Sequence, residues 1–171
     1  MTNDDELARR CRMFSDHGAS EKHEHEIEGI NSRINGLQAA VLSVKLPHID
    51  WNQARYENAQ AYTEGLQDVP GITPPPVRPN ASHVFHLYII RVEEGRDELK
   101  DFLECRGIST SIHYPTALPF LKAYEHHDYS PSDFPLAYDY KILSLPMYPE
   151  LTTEMINHVV AAISEWCEKR S

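Results

Sequence analysis

The stretch DVPGITPPPVRPNAS, Asp68 to Ser82, constrains the chain more than any other. Each proline fixes φ and removes a backbone donor, so this run cannot be helical and reads as a semi-rigid linker. It divides the 171 residues into a leading part of helical patterns over 1–68, a linker over 69–82 and a trailing part over 83–171. That length suits one domain with a real core and is short for two. The leading part is too small to bury its own apolar residues well. It is expected to be covered by another domain or by another copy of the chain.

In the leading part, Asn3 or Asp4 can cap a first helix with Leu7, Cys11 and Phe14 as its inner face. Gly18 is placed to end it. The polar stretch ASEKHEHEIEG is expected to be a loop. The stretch GINSRINGLQAAVLSVKLP, Gly29 to Pro47, reads as a helix with an unusual start. Two glycines, two asparagines and an arginine occupy the opening turns, where stronger helix formers would serve. Ile34, Leu37, Val41 and Val44 mark a stripe to be buried, and Pro47 breaks or bends the helix. Asp50 with Gln53 resembles a capping box that restarts it through Ala54, Ala61, Tyr62 and Leu66.

The style changes after the linker. HVFHLYIIRV reads as a strand buried on both faces. RDELKDFLECRG is an amphipathic helix on Leu99, Phe102 and Leu103, stopped by Gly107. ISTSIHYP alternates as a half-buried strand ended by Pro115. SPSDFPLAYDYKIL predicts a helix with Ser130 as cap and Asp133 as its third residue. LSLPMYP is short and extended. A last helix, capped by Thr152, buries Ile156, Val159, Val160, Ile163 and Cys167. The fold class is therefore α+β, a helical arm followed by a compact unit of strands and helices.

A net charge of −10 argues against nonspecific nucleic-acid binding, which needs a basic face. Three widely spaced cysteines with no CxxC argue against a disulfide framework and fit a reducing cytoplasm. No run is long and apolar enough to span a membrane. The stretch KHEHEIE invites a metal, but a helical zinc motif starting at His23 or His25 would need its second histidine at Ile27 or Gly29. A solvated loop is the simpler reading, as it is for YEHHDY. No P-loop, GxGxxG or nucleophile motif is present.

Two places could carry chemistry. Free N–H groups at a helix start, with the amide of Asn31 and the guanidinium of Arg33, could form an anion receptor. On the residues alone, Asn31 as a helix cap and Arg33 as a solvated charge is the favoured alternative. His113 and Tyr114 sit where a strand hands over to a loop. A functional pair and a capped strand end are equally good readings there.

Taken together, NDDELARRCRMFSDHGA, HEIEGINSRINGLQAAVLSVKL, VFHLYIIRV, RGISTSIHYP and LSLPMYPELT resemble the C-terminal part of the DegT/DnrJ/EryC1/StrS sugar aminotransferases. The resemblance covers essentially the whole chain in order. It implies the C-terminal part of a type I, aspartate-aminotransferase-like fold, with a helical arm and a small antiparallel sheet flanked by helices. It also implies pyridoxal 5'-phosphate (PLP), shared with a large domain outside this chain and with the partner subunit of a homodimer. The implied substrate is a nucleotide-linked keto-sugar, with an amino acid, usually glutamate, as donor.

By the same resemblance, the asparagine of a G-x-N-x-R segment reaches across the dimer to the partner's coenzyme phosphate. Asn31 matches it, with Arg33 in support. His113 and Tyr114 match positions near the substrate or donor. The Schiff-base lysine of the family has no match among the lysines here, so no catalytic residue is assigned and no metal is implied. The chain is expected to be a fragment, a split subunit or a truncated reading that does not transaminate alone. The same scaffold also serves PLP-dependent sugar dehydratases, and a noncatalytic remnant or interaction module is the reading from a different class.

Overall fold

A computed structural model describes residues 2–135 and 141–170. The chain divides into two compact units, one ending at Ile49 and one starting at Asp50. The sequence places the break after residue 68 instead. The reason for the difference is α3 (Trp51–Leu66), which buries Ala59, Tyr62 and Leu66 in the core of the second unit.

The first unit opens with α1 (Asp5–Ser15), whose cap is Asp4: its carboxylate accepts from the Leu7 N–H at 2.9 Å. The helix buries Met13, while Leu7, Cys11 and Phe14, the expected inner face, stay largely exposed. At its end the Gly18 N–H reaches back to the Met13 carbonyl at 2.7 Å, one half of a Schellman closure. The other half is replaced by a neighbouring segment: Ile30 N–H bonds the Phe14 carbonyl at 2.8 Å, and His17 N–H bonds Ile30 at 3.0 Å. Between these lies a small antiparallel hairpin, β1 (Ala19–Glu21) and β2 (Glu24–His25), where the sequence suggests only a loop.

Two glycines make this crossing possible. Gly18 has φ +79°, and a Cβ on Gly29 would lie 2.2 Å from the Gly18 nitrogen and 2.7 Å from the Phe14 carbonyl oxygen. No side chain fits between these backbones. Residues 29–34 are therefore extended rather than helical, which corrects the expected helix start. Helix α2 (Gly36–Lys45) begins later, at a full capping box: Asn35 Oδ1 accepts from Gln38 N–H at 2.8 Å and Gln38 Oε1 accepts from Asn35 N–H at 3.0 Å. The stripe expected to be buried is exposed, with Leu37 at 76% and Val44 at 71%. Pro47 ends the helix in a single 3₁₀ turn, Leu46–His48.

The second unit is a three-stranded antiparallel sheet with helices packed on it. The strands are β3 (Ile72–Thr73), β4 (Tyr88–Val92) and β5 (Ile142–Leu145), in that order. The edge strand β3 comes from the linker itself, just before its proline triplet. Asp50 makes no side-chain cap at α3, so the expected capping box there does not form. Helix α4 (Arg96–Cys105) buries Leu99 and Leu103 and is followed by Gly107 at φ +75°. Helix α5 (Thr153–Glu168) is capped by Thr152 and buries Ile156, Val159, Ile163 and Cys167. It packs against α3, where Gly65 leaves room for Val160: a Cβ there would sit 2.9 Å from both its methyls. Tyr62 and Tyr88 stack in this core at 5.0 Å, and burial raises both phenols above their ordinary pKa.

Residues 108–113 touch β5 through one bridge, Ser111 to Ser144, rather than forming the expected strand. The helix expected from Ser130 begins as a turn, in which the Asp133 carboxylate accepts from the Ser130 N–H and hydroxyl at 2.7 and 2.8 Å. Its continuation through 136–140 lies outside the described residues.

Candidate functional site

The candidate residues fall in both units, and each pair has its own setting. Asn31 and Arg33 stand on the extended segment between the hairpin and α2. Asn31 forms a bridge to Asp16 at the end of α1, so the glycine crossing fixes its backbone. Its side chain does not cap the helix; Asn35 does. Arg33 donates from Nε to Asn31 Oδ1 at 3.3 Å and pairs its Nη1 with Asp16 Oδ1 at 2.9 Å.

This arrangement sets which end of the amide is free. Arginine can only donate, so the Asn31 atom facing it is the oxygen. The Asn31 NH2 group is then the other end, exposed and without a partner among the described residues. Asp16 was not singled out in the sequence, and it offsets the charge of Arg33. What remains is a held, outward amide donor beside a guanidinium whose charge is balanced. Such a group can complete an anion site but is too weak to make one alone.

His113 and Tyr114 follow the Ser111–Ser144 bridge. His113 is half-buried, and its Nδ1 lies 2.8 Å from Ser144 Oγ. Ser144 is 3% exposed, in a strand whose four residues are all buried. Tyr114 is 79% exposed with φ +60°, immediately before Pro115. A bulky residue in the left-handed region costs roughly 1–2 kcal/mol. The turn thus holds an aromatic ring out in solvent at some expense to the fold.

Beyond Tyr114 the chain forms a ring cluster that sequence reading treats as plain loop. His127 lies 4.1 Å from His126 and stacks on Tyr129 at 5.2 Å. Phe120, Tyr124, Tyr129, Lys122 and Asp128 line a cavity of about 420 Å³. Among the described residues, no group of three or more His, Cys, Asp or Glu is placed to hold a metal ion. Ser144 could have been noticed as a lone hydroxyl in the apolar run Ile142–Leu145, and Asn35 with Gln38 as a box three residues apart. Nothing local marks Asp16.

Comparison with known proteins supplies the frame for these groups. Residues 1–164 match the model of the DegT/DnrJ/EryC1/StrS aminotransferase family. The chain is 43% identical over 166 residues to the erythromycin biosynthesis sensory transduction protein EryC1 of Saccharopolyspora erythraea, covering 95% of this chain and 45% of that protein. It is 40% identical to a dTDP-3-amino-3,4,6-trideoxy-alpha-D-glucose transaminase of Streptomyces venezuelae, covering 99% and 45%. Its structure superposes on S. venezuelae DesV, crystallised with a ketimine intermediate, at a TM-score of 0.86 and 39% identity, covering 98% of this chain and 46% of that one. The chain thus spans less than half the length of these relatives.

Proposed function

The chain belongs to the DegT/DnrJ/EryC1/StrS aminotransferase family, and from that membership we propose that it forms the C-terminal half of a PLP-dependent aminotransferase acting on a nucleotide-linked keto-sugar. The family is one of sugar aminotransferases and uses PLP. Relatives carry names of dTDP- and UDP-sugar transaminases, which supports a nucleotide-linked substrate. No described helix is long and apolar enough to cross a membrane.

In this reading the chain supplies donors to a coenzyme anchored elsewhere. When bound, PLP supplies the electron sink that makes amino transfer possible. Asn31 donates its free amide hydrogens to a phosphate oxygen of the coenzyme in the partner subunit. Arg33 orients that amide through its oxygen and adds a positive group nearby, and Asp16 fixes Arg33. The fit is partial, as a receptor shared between subunits requires: a neutral donor and a balanced guanidinium cannot hold a dianionic phosphate unaided. His113 and Tyr114 face the sugar substrate or the amino donor. The exposed stripe of α2 is covered in the homodimer.

The observation that supports this most is the Asn31 amide, held at its oxygen by Arg33 and open at its nitrogen. The test is an assay of the complete PLP-bearing protein that contains this chain, given a nucleotide-linked keto-sugar and glutamate. The expected result is one 2-oxoglutarate for each amino-sugar formed. Loss of water from the sugar without amine transfer would assign the scaffold to dehydration instead, and no turnover of any nucleotide-linked keto-sugar tried would favour a noncatalytic module.

A further inference from the structure

Apart from the buried tyrosines, Ser144 is the one buried residue with a polar side chain among those described, in a strand where Ala or Val would pack without a polar penalty. Its backbone is already fully used, with N–H and carbonyl both bonded to Ser111, at 2.8 and 3.1 Å. The hydroxyl is therefore not needed to hold the bridge. Among the described residues its Oγ has one partner, His113 Nδ1 at 2.8 Å.

A buried hydroxyl gains most when its proton finds an acceptor, although the hydroxyls of Tyr62 and Thr110 find none among the described residues. If His113 Nδ1 carried a hydrogen and donated to Ser144, the serine proton would have nowhere to go. The arrangement closes only when Ser144 Oγ–H donates and Nδ1 accepts. A neutral imidazole carries a single N–H, so that hydrogen then sits on Nε2. The Nε2 atom has no partner among the described residues.

We propose that Ser144 is a positioning residue that locks His113 as its Nε2–H tautomer, so that His113 presents a hydrogen-bond donor rather than a base. An Nε2–H donor recognises an oxygen, which on a nucleotide-linked keto-sugar means a ring hydroxyl, a carbonyl or a phosphate oxygen. This rests on the reading of His113 as a substrate-facing residue. Proton abstraction is then left to another group, and the role of His113 is to orient the substrate.

The test uses the complete protein labelled with ¹⁵N-histidine, at about pH 8, above the ordinary imidazole range. His113 signals are identified by their loss in His113→Gln. The expected spectrum shows Nδ1 without a proton and Nε2 with one. Ser144→Ala should mix the two tautomers and lower kcat/KM about tenfold, the loss of one ordinary hydrogen bond, while Ser144→Thr, which keeps the hydroxyl, should restore both. A proton on Nδ1 in the unaltered protein overturns the proposal, and so does an unchanged tautomer in Ser144→Ala. Unchanged kinetics in His113→Ala would sink the substrate-facing role of His113 separately, because the tautomer is read without substrate.

Discussion

The two units solve the same problem differently. From Asp50 onward, side chains of three helices and three strands meet in one apolar core, with Tyr62, Leu99, Leu103 and Ile163 fully buried. Before Asp50, Met13 is the one buried apolar residue among those described. That unit is organised by its backbone: a glycine crossing, a capping box and a hairpin. Its apolar residues, Ile34, Leu37, Val41 and Val44, face outward. The second unit looks like a protein that folds for itself, and the first like one that folds to be covered. The group proposed to touch the coenzyme, Asn31, stands on the part held by backbone and polar contacts rather than by an apolar core.

The sharpest break of this contrast is a pair of truncations. Ile163→Ala should destabilise the second unit by about 2–5 kcal/mol, as large-to-small core changes do. Leu37→Ala should leave thermal stability of the isolated chain within about 0.5 kcal/mol, yet weaken self-association in sedimentation. Equal losses in both variants would mean that the first unit has a core of its own.

Next in size is Gly29→Ala. Its Cβ would meet backbone atoms at 2.2 and 2.7 Å, which no side-chain movement can relieve. We expect a cost of about 3 kcal/mol, at the upper end for overpacking. Hydrogen exchange should speed up at the His17 and Ile30 amides and stay unchanged in α5. Equal loss of protection in α5 would show that the units unfold together.

A smaller effect is expected at Tyr114. Replacing it with glycine removes the left-handed strain but adds chain entropy, for a net gain of up to about 1 kcal/mol. Substrate affinity should fall as stability rises. A variant that loses stability would mean that the ring packs on something in the folded state.

Smallest is the surface triad between the end of α4 and α5. Glu165 pairs with Arg106 and with Lys169, both at 2.6 Å, and the Arg106 hydrogen bond above all pulls its carboxyl down to about 2. A depressed carboxylate stabilises the fold above its unfolded pKa and loses that contribution as pH falls through the folded value. Acid titration should therefore show a slope between about pH 4.3 and about 2 that Glu165→Gln lacks. The triad lies at the surface with solvent around it, so the change in midpoint should be slight.

The sequence was readable where burial follows period. Helices α4 and α5 and most of the core face of the last helix are visible as apolar spacing, and the Gly107 stop of α4 and the Thr152 cap of α5 as end signals. It misled where a backbone crossing overrides propensity. The Gly29–Gly36 stretch looks like a weak helix start because the partner that demands Gly29, the end of α1, is remote in sequence. The strand at 72–73 hides inside a proline-rich run because two residues carry no period. As for the site, Asn31 and His113 were visible only as polar residues at edges. Asp16 and Ser144, which orient Arg33 and His113, gain their meaning from contacts 17 and 31 residues away in the chain.

The central claim is that this chain completes a coenzyme site in a neighbouring subunit, and mixed dimers test it directly. One parent carries Asn31→Ala; the other keeps Asn31 but lacks the coenzyme-binding lysine of the large domain. At limiting PLP the first parent should retain the coenzyme at least tenfold less well than the unaltered protein, with folding unchanged. Mixed dimers should recover one full-affinity, active site each, because an intact Asn31 then faces an intact lysine across the interface. Affinity that stays weak in the mixed dimers, or that never fell in the Asn31→Ala parent, would contradict the account.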